Sequence, residues 1–341
     1  MLHSAVAMYT GEDKSCVNKR EEFQGLYVLK AICALWVVGI HLPLVGKADL
    51  MPLFVSAVPC FYIISGFFLY KGGDSIKERA CAWKWCKKIF TVACLINVFY
   101  FAVAILRGEW PDICEKFCIS FVTGDTVNGA LWYLTAMWEA LCVFIFCRRF
   151  FSDKVIYVFS FFILFNLLLG KYYFIFDAGE YDLPQCIRLN WLTVALPCMS
   201  VGYLLRKHEL YFKNVKVELW VVIFMLLSYI EYFVLKSFCI ETPSYYLFTL
   251  PMAVCLVLVC KNLANEKLSL LANIGKNHSS NIYYFHMFLG AFIGFLSFHL
   301  EINVKLVTAL IVYVGCIFFS MGVNYLCQSV RNLWRNIYKG E

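Results

Sequence analysis

Ten long apolar segments constrain the fold of this chain more than any other feature of its sequence. A helix that crosses a bilayer needs about 17 to 25 mostly apolar residues. Segments of this kind occupy residues 26–46, 52–70, 88–106, 129–148, 155–170, 190–205, 217–236, 243–260, 280–298 and 304–327. The two shortest, 155–170 and 190–205, leave a partial or tilted crossing open. The pattern predicts an all-α, polytopic integral membrane helix bundle with about ten transmembrane helices.

The spaces between these segments leave no room for a soluble domain. Hydrophobic residues make up 62% of the chain and charged residues 16%, whereas about a quarter of the residues of a soluble domain are charged. We therefore predict one membrane domain at 26–327, with cytoplasmic tails at 1–25 and 328–341. The first tail lacks the basic start, apolar core and cleavage site of a secretory signal.

Basic residues support the same topology independently of hydropathy. If both termini are cytoplasmic, the inner segments hold 22 of the 30 Lys and Arg residues, the outer segments hold 7, and Lys30 lies within a span. Short cytoplasmic loops are enriched in Lys and Arg, so ten helices with both ends inside fit this distribution. The net charge of +7 follows from the topology. It requires no nucleic-acid partner, and the apolar spans make the lipid bilayer the expected partner. The sequence contains no C-x-x-C pair, and no metal site is expected.

The first span, LYVLKAICALWVVGIHLPLV, contains Lys30 and His41. A lysine at the centre of a span costs about 2.5 to 3.5 kcal/mol on insertion scales, so ionisable residues there are usually functional. Eleven helical positions place both side chains on one stripe, about 16 Å apart along the axis. A neutral His41 could accept a proton from a hydroxyl, or simply bond to a backbone carbonyl. Lys30 could bind a cytosolic anion, or extend to the lipid headgroups.

Several other polar or small residues at membrane depth are candidate site residues. The positive-inside rule alone is a sufficient explanation of the basic cluster before the third span. Close helix packing is a sufficient explanation of the two small residues near the end of the second span. We expect the buried ionisable groups to face the bundle interior, because contact with lipid is costly. The candidates are Lys84, Lys87 and Lys88 in the cluster, Ser65 and Gly66 in the second span, Trp132, Tyr133 and Glu139 in the fourth, and Tyr283 and His286 in the ninth.

Together these segments resemble the membrane-bound acyltransferase family 3, bacterial O-acyltransferases that acetylate cell-surface sugars. That family has a basic residue, ten intervening residues and a histidine in its first helix, and lysine stands here where arginine is usual. The motifs that match are Lys30 with His41, the Ser-Gly-Phe of residues 65–67, the basic pair Lys84 and Lys87, the Trp-Tyr-Leu of residues 132–134, and Tyr283 with His286. The resemblance covers all ten spans.

The resemblance implies an enzyme of the bacterial plasma membrane that moves an acyl group, most simply acetyl, from cytoplasmic acyl-CoA to a carbohydrate hydroxyl. Acyl-CoA would be a co-substrate, with no bound cofactor, and the acceptor a cell-surface or lipid-linked glycan. His41 would be catalytic, and the donor phosphates would bind Lys30 and the cluster of Lys84, Lys87 and Lys88. The alternatives are a transporter or flippase for a lipid-linked sugar or small metabolite, and a receptor or scaffold without catalysis.

Overall fold

The computed structural model describes residues 23–108, 129–172, 189–212, 215–238, 240, 245–263, 265–302, 304 and 307–338, and all regular secondary structure in these ranges is helical. The α-helices of this part of the chain are α1 Gln24–His41, α2 Lys47–Phe54, α3 Ala57–Leu69, α4 Ser75–Leu106, α5 Trp132–Phe150, α6 Lys154–Ser160, α7 Ile163–Leu169, α8 Leu196–Lys207, α9 Val217–Ser237, α10 Thr249–Lys261, α11 Ser269–Asn277, α12 Ser279–His299 and α13 Thr308–Tyr338. The predicted all-α class is therefore confirmed for these residues.

Seven helical stretches of the described residues are long and apolar enough to cross a membrane. They are Gln24–His41, Lys47–Leu69, Ser75–Leu106, Gly129–Phe150, Val217–Ser237, Ser279–His299 and Thr308–Val330. Of the other three predicted spans, 155–170 and 243–260 form shorter apolar helices, and 190–205 is covered by a short π-helix, Trp191–Ala195, followed by α8. The segment 155–170 is divided into α6 and α7, while 243–260 yields only the 13 residues of α10. A polytopic membrane bundle is thus supported, while ten crossings and cytoplasmic termini stay predictions.

The third span begins thirteen residues earlier than the sequence predicts. We expected it at 88–106, but α4 runs from Ser75 to Leu106 as one helix of 32 residues. Its start is fixed by Asp74, whose side chain accepts hydrogen bonds from the backbone nitrogens of Ile76 and Lys77, as an N-cap does. At 1.5 Å per residue this helix is about 48 Å long, which exceeds the hydrocarbon thickness of about 30 Å.

The chain folds into two compact units, one formed by Met1–Leu50 with Cys260–Glu341 and the other by Met51–Val259. In the second unit, α3 and α8 cross at very short range. A Cβ added to Gly66 would lie 1.9 Å from the carbonyl oxygen of Met199, and one added to Gly202 would lie 1.9 Å from that of Ile63. Each glycine therefore makes room for the backbone of the other helix, as small residues do between membrane helices.

We expect Gly66→Ala to destabilise the second unit by about 1–3 kcal/mol or more, because the added methyl group meets backbone atoms that cannot rotate away. Thermal unfolding in detergent measures the loss. Gly294→Ala on α12 is the matched control, since a Cβ there has nothing within 4 Å. Equal unfolding temperatures for the two variants would contradict the close approach of α3 and α8.

A buried ion pair lies at one end of the second unit. Glu78 is fully buried, and Arg148 donates from Nε and Nη2 to its Oε2 at 2.8 Å each. The hydroxyl of Tyr203 lies 3.1 Å from both carboxylate oxygens, and the backbone nitrogen of Lys71 donates to Oε1 at 3.2 Å. These groups come from segments near 71–78, 148–154 and 203–207, which the basic-residue count assigns to the same membrane side. Their convergence supports that grouping.

A second, more exposed carboxylate extends this cluster. Lys207 donates to Asp153 at 2.8 Å, and Arg148 Nη1 lies 3.9 Å from the other oxygen of that carboxylate. The hydrogen bond from Lys207 holds the pKa of the Asp153 carboxyl below its usual range. Asp153 therefore stays charged in neutral solution and joins the end of α5 to the end of α8.

In the first unit, α1 packs against α11, α12 and α13. A Cβ on Gly275 would lie 1.8 Å from the carbonyl oxygen of Tyr27, so α11 lies directly on the α1 backbone. The hydroxyl of Tyr313 on α13 donates to the carbonyl of Ala31 at 3.0 Å. Helices from the last quarter of the chain thus surround the first helix.

The two predicted tails, 1–25 and 328–341, are only partly covered by the described residues. Residues 1–22 of the predicted N-terminal tail lie outside the described residues. The predicted C-terminal tail begins at 328, yet α13 continues as helix to Tyr338. The boundary at 327 therefore does not coincide with a helix end.

Candidate functional site

The C-terminal end of α1 is held in place by its neighbours and by a proline. α1 ends at His41, and Leu42 has extended backbone angles of φ −114° and ψ 158°, as expected for a residue before Pro43. The backbone nitrogen of Ala309 donates to the carbonyl of Pro43 at 3.1 Å. A Cβ on Gly290 would lie 2.6 Å from the side chain of Leu42, so α12 passes close to this end. His41 consequently has a fixed backbone position.

The ring of His41 faces the ring of His286 on α12. The ring centroids are 5.3 Å apart and the planes are inclined at 39°. His286 is one helical turn before Gly290, so both lie on the face of α12 that meets the end of α1. His286 is fully buried, whereas His41 is exposed. The pair therefore has one ring inside the protein and one at its surface.

Tyr283 takes part in the pair through its backbone. Nδ1 of His286 lies 2.8 Å from the carbonyl oxygen of Tyr283, and the two rings are 5.9 Å apart. Tyr283 is itself buried. The Tyr-x-x-His spacing thus places the carbonyl oxygen of the tyrosine next to Nδ1 of the histidine. The sequence pattern alone does not reveal this contact.

Lys30 lies on the same helix as His41, as predicted. α1 is continuous from Gln24 to His41, so the eleven-residue separation corresponds to about 16 Å along its axis. The side chain of Lys30 is half-buried. The geometry inferred from spacing therefore holds, while a role in anion binding stays a prediction.

The basic cluster of Lys84, Lys87 and Lys88 lies in the second unit on α4. All three side chains are exposed, and the ammonium of Lys87 lies 5.7 Å from the ring centroid of Trp83. The sequence places them in a loop before the span, but they belong to the continuous helix. Three exposed ammonium groups on two adjacent turns form a surface suited to anions.

The remaining candidates in the second unit lie on α3 and α5. Tyr62 on α3 is fully buried, and its hydroxyl donates to the carbonyl of Tyr133 at 3.1 Å. Its ring centroid lies 4.6 Å from that of Tyr133 and 6.5 Å from that of Trp132. Sequence reasoning missed Tyr62, although it lies in the aromatic run before Ser65. This contact holds the Trp-Tyr pair against α3.

Two other predicted residues have local explanations in the structure. The hydroxyl of Ser65 donates to the carbonyl of Phe61 at 2.8 Å within the same helix, and Gly66 provides the close approach to α8. Glu139 is half-buried on α5, whereas His286 is buried as expected. The catalytic or binding roles of these residues stay predictions.

The structure therefore collects the candidates into two groups. Lys30, His41, Tyr283 and His286 belong to the first unit, where the two histidines meet. The other group belongs to the second unit and consists of Ser65, Gly66, Lys84, Lys87, Lys88, Trp132, Tyr133 and Glu139.

A bundle of apolar helices that holds a buried histidine against an exposed one indicates a polytopic membrane protein with a polar site, and ionisable residues at membrane depth are candidates for function. Residues 23–328 match the sequence model of the acyltransferase domain of acyltransferase family 3. This match spans nearly the whole chain, and the chain belongs to that family. The resemblance inferred from its motifs is confirmed. No curated protein and no solved structure matches the chain.

Proposed function

We propose that this chain is an O-acyltransferase of the bacterial plasma membrane that transfers an acyl group, most simply acetyl, from cytoplasmic acyl-CoA to a hydroxyl of a cell-surface or lipid-linked carbohydrate. The observation that carries the proposal is the exposed His41 paired with a buried histidine, in a chain that belongs to an acyltransferase family. A histidine in this setting is suited to general base catalysis.

In the proposed reaction, His41 removes the proton from the acceptor hydroxyl while that oxygen attacks the thioester carbonyl. The new C–O bond forms and the C–S bond breaks, so CoA leaves as a thiolate. The protonated His41 then gives its proton to the thiolate, which yields the acylated acceptor and free CoA. His41 returns to its neutral form, and no oxidant or reductant is needed.

Cationic residues suit the phosphates of the donor. Lys30 shares the α1 stripe with His41 at a separation of about 16 Å, which is comparable to the reach of an extended pantetheine arm. In the second unit, the exposed ammonium groups of Lys84, Lys87 and Lys88 form a positive surface of their own. Lysine attracts phosphate as a point charge and lacks the planar fork of arginine, so we expect moderate donor affinity.

The proposal is tested by mass spectrometry of surface polysaccharide and lipid-linked glycans from cells with and without the protein. Loss of acyl groups from one glycan in the cells that lack the protein identifies the acceptor. Purified protein in detergent with labelled acetyl-CoA should then acylate that glycan. Detergent removes the two compartments that a transporter needs, so a flippase would give no product in this assay. Equal acylation of all glycans in cells with and without the protein would contradict the proposal.

We expect Lys30→Ala to raise the KM for acyl-CoA about tenfold or more and to leave the KM for the acceptor unchanged. A hydrogen bond to a charged group contributes about 1.5–3 kcal/mol, and only the donor carries phosphates near this residue in our proposal. Steady-state kinetics with each substrate varied in turn measure the effect. Lys30→Arg should keep the low KM, and Lys276→Ala, an exposed lysine on α11, is the matched control. An unchanged KM for the donor would exclude this role of Lys30.

A further inference from the structure

His286 carries a hydrogen-bond acceptor that nothing in the described part of the protein uses. Its Nδ1 lies 2.8 Å from the carbonyl oxygen of Tyr283. A carbonyl oxygen can only accept, so Nδ1 donates and carries the proton. In the neutral ring the lone pair is then on Nε2. This Nε2 is buried and has no hydrogen-bond partner among the described residues, and such an atom costs about 1–3 kcal/mol.

The ring of His41 is a suitable donor beside this Nε2. The ring centroids are 5.3 Å apart, and two imidazole nitrogens that face each other across this separation come to about 3 Å, which is hydrogen-bond distance. Gly290 lets α12 lie against Leu42 at the end of α1, so the backbone holds the two rings side by side. Rotation of the exposed ring of His41 would turn one of its nitrogens toward Nε2 of His286.

We propose that His286 is a positioning residue whose Nε2 accepts a hydrogen bond from one ring nitrogen of His41. The inference rests on the proposed function, because it concerns the orientation of the proposed base. A proton held on the inner nitrogen of His41 leaves the lone pair on its outer nitrogen, which is the one that faces substrate. His286 therefore selects the tautomer of His41 that can accept a proton from a hydroxyl.

The proton balance agrees with this arrangement. When His41 takes the acceptor proton, both of its nitrogens carry hydrogen, and the inner one still donates to Nε2 of His286. His286 neither gains nor loses a proton, since its Nδ1 proton stays with the carbonyl of Tyr283. The proton on the outer nitrogen of His41 then passes to the CoA thiolate. A neutral imidazole thus does here what a carboxylate does behind the histidine of a catalytic triad.

Kinetics of two substitutions at residue 286 test the inference. We expect His286→Phe, which keeps a ring but removes the acceptor, to lower kcat about 10- to 100-fold with both KM values unchanged. His286→Gln retains an amide oxygen that can accept from His41, and it should recover kcat to within several-fold of the wild type. His299→Phe, at the exposed end of the same helix, is the control for adding a phenylalanine to α12. A purely structural role would lower the yield of folded enzyme and leave kcat per folded molecule unchanged for both variants.

Nitrogen NMR of the wild-type protein tests the same inference without a substitution at residue 286. The signals of His41 are assigned as those that are missing from the spectrum of His41→Gln. In the wild type, the neutral ring of His41 should then show one protonated and one unprotonated nitrogen. Averaged nitrogen signals for His41 would overturn the inference, and so would an unchanged kcat in folded His286→Phe. If His41→Gln itself remains fully active, the proposed function fails. If only His286→Phe remains fully active, the proposed function stands and this inference fails.

Discussion

His41→Ala is expected to abolish detectable acyl transfer and to leave the folded protein intact. Loss of a general base lowers a rate by about 10²- to 10⁴-fold, and surface acylation should fall to the level of cells without the protein. His41 is exposed, so its removal leaves no buried cavity, and loss of the hydrogen bond proposed to His286 costs about 1–3 kcal/mol at most. The measurements are mass spectrometry of the acylated glycan and the rate of transfer by the purified protein.

The control for this experiment is His299→Ala. His299 is also exposed at the end of a long apolar helix, where its Nδ1 lies 3.0 Å from the carbonyl of Phe295, and it has no role in the proposed reaction. It should retain full activity. Near-normal acylation in His41→Ala would remove the basis for the enzyme mechanism and favour a transporter or a scaffold.

Arg148→Met should cost about 3–5 kcal/mol of stability, because it leaves the carboxylate of Glu78 buried without its cation. Glu78 would retain the hydroxyl of Tyr203 and the backbone nitrogen of Lys71, which do not neutralise its charge. Such a loss approaches the whole stability of many proteins, so we expect little folded protein in detergent. Size-exclusion chromatography followed by thermal unfolding measures it.

Two further variants distinguish the effect of breaking the buried ion pair from the effect of removing any arginine at the end of α5. Arg149→Met changes the neighbouring residue, which is exposed, and it should unfold at the wild-type temperature. The double variant Glu78→Leu with Arg148→Met removes both charges, and it should recover most of the stability, because apolar replacement of a buried pair is often neutral. If Arg148→Met alone is as stable as the wild type, Glu78 is not held in the way described.

The family, the all-helical class and the α1 stripe were predictable from sequence, because apolar length and an eleven-residue spacing are local properties of the chain. The start of α4 at Ser75 was not predicted, because hydropathy detects only the part of a helix that meets lipid. Asp74 was the available signal, since an aspartate before a helical segment is a common N-cap. Short apolar helices such as α10 lie below the length at which hydropathy alone identifies a membrane crossing.

The contacts of the candidate site could be predicted only in part. Burial of His286 followed from the cost of an ionisable group in lipid, but its meeting with His41 depends on how α12 crosses α1. That crossing is set by Gly290 and Leu42, which are far apart in sequence. Glu78 gave no signal, because a glutamate near basic residues at a membrane surface is usually solvated. Tyr62 likewise looks like one more aromatic residue in an apolar run.

The packing of α1 against α11, α12 and α13 also governs when the site forms during synthesis. More than 200 residues separate His41 from the start of α11 at Ser269. At translation rates of 5 to 20 residues per second, this separation corresponds to about 10 to 50 s. Throughout that interval α1 is in the membrane with Lys30 but without the helices that cover it in the finished protein. The two histidines meet only when the last quarter of the chain has been made, so a nascent or truncated chain has no assembled site.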